Sequence, residues 1–227
     1  IEKNESLLSF LNRSIDLNYG EDISQKPIAI IDYGMGNISS VKNMIKKLGG
    51  KSVLTRDPDI ILNSKKIILP GVGSFDSGIE SLKKNGLEDV LKESASKGAN
   101  ILGICLGFQL LFENSEEGVL PGLGLIKGKV KKFINTDNLR VPHMGWNSII
   151  PTKNSILFNE QNTETPRFYF VHSFYADCSI DEDITAKCFY GHKFVCAIEK
   201  KNILGVQFHP EKSHKFGINL FSRYLDA

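Results

Sequence analysis

The 227-residue chain lacks any apolar run near the roughly 18 residues that would suggest a membrane span, and it is poor in tryptophan, with one, and in cysteine, with four. Residues 1–27 lack the short apolar core of a secretion signal, so a cytosolic protein is expected, with no membrane partner. An excess of charge is also missing: 28 Lys and Arg face 26 Asp and Glu, for a formal charge of +2. No basic field exists to favour nucleic acid or anionic lipid, which points to a small-molecule substrate. The cysteines, at 105, 178, 188 and 196, form no CxxC pair, and with 41% hydrophobic residues the chain is long enough to bury one substantial core without staples. Reduced thiols are expected. Cys188, His192 and Cys196 recur every fourth residue, as metal ligands on one helical face would. The segment around them reads as two strands about a Gly-His turn, which breaks that spacing.

What is present is alternation. Residues 1–27 read as an extension or linker, in which Leu7, Leu8, Phe10, Leu11 and Ile15 would give a short helix an apolar stripe. The domain is expected to run over residues 28–227. Its first apolar strand is residues 28–31, followed by a glycine loop and by helical periodicity over 39–48 that ends at Gly49-Gly50. Further strands are expected at 51–54, 66–69 and 100–104, a helix at 77–91, and another at 106–113. This order predicts an α/β fold, a mostly parallel sheet with helices on both faces. Beyond residue 125 short strands dominate, near 128–134, 146–150, 167–171, 184–190, 194–199 and 203–207, before a final helix over 216–224. They imply a smaller antiparallel region.

The apolar strand at 100–104 runs directly into Cys105, which lies between Gly103 and Gly107. This is the G-x-nucleophile-x-G elbow, with sulfur in place of hydroxyl. A sharp strained turn lifts the nucleophile above the sheet edge, and residues two positions away must be glycine to avoid collision. The helix that follows offers unpaired N–H groups and its positive dipole end, which favour a thiolate and can bind a developing oxyanion; the Leu106 N–H is the first donor to name.

A nucleophilic cysteine needs a histidine, itself oriented by a third group. Of five histidines, only His209 ends an apolar strand and is followed two residues on by a carboxylate, Glu211. In extended chain, i and i+2 share a side, and Pro210 biases His209 towards that conformation. A parallel sheet gathers the C-terminal ends of its strands along one edge, which would bring this pair to Cys105.

Gly103-Ile-Cys-Leu-Gly-Phe-Gln109 together with Gln207-Phe-His-Pro-Glu211 resembles the class I, triad-type glutamine amidotransferases. Pro70-Gly-Val-Gly-Ser-Phe75, Pro142-His-Met-Gly-Trp-Asn147 and Phe170-Val-His-Ser-Phe-Tyr175 resemble more narrowly the glutaminase subunit of imidazole glycerol phosphate synthase. The resemblance covers residues 28–227. It implies a flavodoxin-like sheet that hydrolyses glutamine and passes ammonia to a (β/α)8-barrel cyclase in a heterodimer of histidine biosynthesis, with an aminoimidazole carboxamide ribotide as second product. It also implies that Cys105, His209 and Glu211 are the triad, that Gly73, Gln109, Glu117, Ser173 and Phe174 hold glutamine, and that Val72 and Gly73 join Leu106 at the oxyanion. Asn37 and Trp146 would face the cyclase. Neither metal nor organic cofactor is required. His143 and His172 lie in family motifs, with no role assigned. Two alternatives stay open: the same glutaminase chemistry feeding another synthase, such as sugar amidation, or a non-catalytic interaction subunit of the same fold.

Overall fold

The computed structural model describes residues 27–134, 139–158 and 164–227. The apolar stripe expected at residues 7–15 lies outside them.

Five strands make the parallel part of the sheet: β1 (Ile28–Ile31), β2 (Ser52–Thr55), β3 (Lys66–Gly71), β4 (Asn100–Cys105) and, from the far end of the chain, β12 (Ile203–Val206). They lie in the order β2-β1-β3-β4-β12, and the sheet continues antiparallel through β11 (His192–Lys200), β10 (Ile184–Tyr190), β7 (His143–Pro151) and β8 (Arg167–His172). β9 (Phe174–Cys178) pairs with β11 and with β6 (Gly128–Lys132), and β6 also pairs with the two-residue β5 (Asn114–Ser115). The helices are α1 (Ile38–Lys47), α2 (Pro58–Leu62), α3 (Phe75–Lys84), α4 (Leu87–Ser96), α5 (Leu106–Leu110) and α6 (His214–Asp226).

Strands covered on both faces read as unbroken apolar runs, and here alternate residues divide between two cores. Ile67, Leu69 and Ile101 join the core under α3 to α5, whereas Ile68, Leu102 and Ile104 join the one containing Val41, Ile45, Leu220 and Phe221. The expected parallel sheet with helices on both faces is present. The single helix expected over 77–91 is two, because Gly86 turns left-handed at φ 67° and starts α4 afresh. The short α2 went unread; Asp57 caps it, accepting from the Asp59 amide at 2.9 Å, with Pro58 at its first position.

The register sets up the site. Gly71 of β3 lies opposite Cys105 of β4, and Ile104 opposite Val206 of β12, so the loops after all three strands open on one edge.

Candidate active site

Cys105 closes β4 and starts α5 with φ 55° and ψ −108°, a backbone conformation that side chains other than glycine adopt only under strain. Its neighbours must be glycine. A Cβ on Gly107 would stand 1.8 Å from the Leu69 carbonyl oxygen, and one on Gly103 would stand 2.7 Å from the Gly107 oxygen. The elbow read from the sequence is therefore a close approach of three backbone segments. Cys105 is only 7% exposed. Leu106, the first residue of α5, stands directly after it.

His209 leaves β12 in extended conformation, pinned by its amide to the Tyr169 oxygen at 2.9 Å and by its own carbonyl, which accepts from Ser213 Oγ at 2.6 Å. Its Nδ1 meets Glu211 Oε1 at 2.8 Å, and both side chains are 2% exposed. A carboxylate at Nδ1 leaves Nε2 for proton transfer. Burial alone would lower the imidazole pKa, but the Cys105 sulfur and the Glu211 carboxylate beside it override burial and raise it. The arrangement sets a protonatable imidazole against the Cys105 sulfur. His209 Nε2 and Glu211 Oε2 are buried without a hydrogen-bond partner among the described residues.

Of the residues expected to hold glutamine, the structure links Gln109 and Phe174 to this set. Gln109 donates from Nε2 to the Phe174 oxygen at 3.2 Å and to Gln207 Oε1 at 3.0 Å. Gln207 Nε2 in turn lies 3.9 Å from Cys105 Sγ. Ser173 occupies the corner between β8 and β9, where its oxygen accepts from the Phe133 amide at 3.0 Å. Val72 and Gly73 form the turn after β3; Val72 is 43% exposed and Gly73 has φ 118°. Glu117 already has one engagement, since its Oε2 accepts from the Phe75 amide at 2.8 Å at the start of α3, and burial raises its pKa.

Two further histidines tie into the same corner. His172 Nδ1 lies 2.7 Å from the Phe174 oxygen, His172 Nε2 lies 2.9 Å from His143 Nδ1, and His143 Nε2 lies 3.2 Å from Asn147 Nδ2. A carbonyl only accepts, so His172 carries its proton on Nδ1, His143 donates from Nδ1, and Asn147 donates to His143. The chain of donors is satisfied only with both rings neutral. Burial accordingly lowers the His143 pKa to about 4 and that of His172 to about 3.

A strained cysteine elbow, a buried His-Glu pair and a Gln207 amide reaching the sulfur, itself held by Gln109, are the parts of a thiol-based acyl-transfer site. The family model described as "Glutamine amidotransferase class-I" matches residues 29–223. The chain belongs to the class I glutamine amidotransferases. Among them it is 50% identical over 200 residues to imidazole glycerol phosphate synthase subunit HisH 2 of Methanococcus maripaludis, covering 87% of this chain and 98% of that one. It is 46% identical to the protein of the same name from Pseudomonas aeruginosa, covering 88% and 98%. A crystal structure of a glutamine amidotransferase superposes with TM-score 0.68 at 18% identity, covering 88% and 97%, and the PurLQS structure of Thermotoga maritima gives 0.66 at 21%, covering 88% and 98%. These two confirm the amidotransferase fold.

Asn37 precedes α1 in the loop after β1, on the same sheet edge as the elbow. Trp146, which composition alone would put in the core, is instead 41% exposed beside Met144 at 62%. Its ring stacks on His214 with centroids 5.4 Å apart and planes 5° from parallel. Among the residues that sequence reasoning left unassigned, Gln207 sits inside a quoted motif, yet its contact with the sulfur depends on β4 and β12 being neighbours. Among the described residues, no helix is long and apolar enough to cross a membrane.

Proposed function

We propose that this chain is the glutaminase subunit of an imidazole glycerol phosphate synthase, with residues 28–227 as the catalytic unit, acting in the cytoplasm. The observation that carries the reading is the strained Cys105 elbow beside the His209–Glu211 pair, joined to the likeness to HisH proteins over 87% of the chain. The Cys105 thiolate adds to the side-chain amide carbon of glutamine, and the carbonyl electrons move onto oxygen, which the Leu106 amide and the Val72 and Gly73 turn stabilise. The carbon–nitrogen bond then breaks as His209 gives its proton to nitrogen, which releases ammonia and leaves a thioester. Water attacks the thioester, neutral His209 takes a proton, and glutamate leaves with the thiolate restored. Glu211 holds the imidazole tautomer throughout. Gln109, Glu117, Ser173 and Phe174 position the glutamine. No step calls for a metal or organic cofactor.

Ammonia passes to a (β/α)8-barrel cyclase in a heterodimer, which forms imidazole glycerol phosphate and an aminoimidazole carboxamide ribotide. The exposed Trp146 and Met144, with Asn37 on the active edge, form the docking surface. A large rigid ring exposed beside a second apolar side chain suits an interface anchor. The test is ammonia release from glutamine by the chain with and without the cyclase, alongside Cys105→Ala. Turnover that survives Cys105→Ala in a folded protein would refute the assignment.

A further inference from the structure

Tyr33, two residues beyond β1, is buried at 1% exposure, and its hydroxyl has no hydrogen-bond partner among the described residues. The other fully buried tyrosine among the described residues is different: Tyr224 Oη donates towards the Ile67 and Asn100 oxygens at 2.9 and 2.8 Å. Buried polar groups are as a rule paired, and an exception asks for a reason. Its location supplies one. A Cβ built on Gly71 would lie 2.3 Å from Tyr33 Oη, 2.9 Å from the Gly107 amide nitrogen and 2.9 Å from Leu106 Cβ. The hydroxyl is thus wedged where the glycine turn after β3 meets the first residues of α5, the two backbone segments that carry the oxyanion N–H groups. Gly71 is glycine because this contact leaves no room for a side chain. The Tyr33 backbone is held from outside, its carbonyl accepting from Ser81 Oγ on α3.

We propose that the Tyr33 hydroxyl is a further donor of the oxyanion site, unpaired at rest and turned onto the negative charge that develops above Cys105 during turnover. The inference rests on the glutaminase reading. Burial keeps the phenol protonated, and a charge on Cys105 reinforces this, so at any physiological pH the group is a donor and never a competing anion. A donor already in place and lacking a ground-state partner acts on the transition state alone, without strengthening substrate binding.

The experiment compares wild type with Tyr33→Phe, which keeps the ring and removes only the oxygen. Glutamine turnover is measured in the complex with the cyclase partner, together with binding of glutamate γ-semialdehyde, an aldehyde that adds to the thiolate and places an oxyanion in the site. The expected result is a fall in kcat of about tenfold or more with KM within about twofold, aldehyde affinity weakened by a similar factor, and an unchanged or raised Tm. A packing role alone would leave kcat and aldehyde affinity untouched, because Phe fills the same volume. Wild-type kcat and aldehyde affinity in Tyr33→Phe would overturn the inference while the glutaminase reading stands; absence of turnover in wild type would overturn the glutaminase reading itself.

Discussion

Replacing His143 and His172 together by Gln should flatten the acid sensitivity of the fold. In the unfolded chain both rings take up a proton near pH 6.5, but burial holds them neutral in the fold until about pH 4 for His143 and about pH 3 for His172. Their folded pKa values are depressed, so their contribution to stability is fully present above the unfolded value and declines as the pH falls towards the folded ones. At pH 4.5, two units below the unfolded value, each ring taken alone has lost about 3 kcal/mol, at 1.36 kcal/mol per unit. The rings face each other at 2.9 Å, so their losses are not independent, and about 3–5 kcal/mol is expected for the pair. That is a large share of a typical domain stability of about 5–15 kcal/mol. Urea unfolding at pH 7 and pH 4.5 reads the effect as a double difference, in which the distant carboxylates common to both proteins cancel. The variant should be less stable than wild type at pH 7 and lose several kcal/mol less on acidification. Equal losses in the two proteins would refute the neutral-ring assignment.

Three other substitutions probe the elbow and the docking surface. Gly107→Ala places a methyl against a backbone oxygen that cannot swing aside, and should cost about 3 kcal/mol and most of the glutaminase activity; wild-type melting behaviour would contradict the geometry. Cys105→Gly should be more stable than Cys105→Ala by about 1 kcal/mol, the reverse of the ordinary ranking, because relief of the φ 55° strain exceeds glycine's entropic cost; calorimetry of the two inactive proteins decides. Trp146→Ala should weaken cyclase association about 30-fold or more, measured by titration calorimetry, while leaving the melting temperature of the free chain within a few degrees.

The parts of the site written in consecutive residues were legible beforehand. Gly103, Cys105 and Gly107 sit within one turn, and His209 and Glu211 within one extended step, so spacing alone conveys their geometry. What depends on register was not. His143 meets His172 because β7 and β8 pair antiparallel with these two residues opposite one another, and nothing in either segment announces that partner. Gln207 reaches the sulfur only because β12 lies beside β4. Within the fold, the break between α3 and α4 was hidden because apolar periodicity continues through Asn85 and Gly86 while the backbone does not.

Polar accounting links these observations. Five buried side-chain atoms lack a partner among the described residues: Tyr33 Oη, Ser94 Oγ, Thr185 Oγ1, His209 Nε2 and Glu211 Oε2. Three of the five belong to residues around Cys105, the same position that carries a strained φ. Leaving a buried polar atom unpaired costs about 1–3 kcal/mol, and local strain a similar amount, so this corner is held against the stability of the fold. In the proposed reaction His209 Nε2 gives its proton to the departing nitrogen and then takes one from water, and charge appears on oxygen beside Tyr33. Groups whose partners arrive only with the reaction have to stay unpaired in the resting protein. A variant that satisfies them in advance should fold more stably and turn over more slowly.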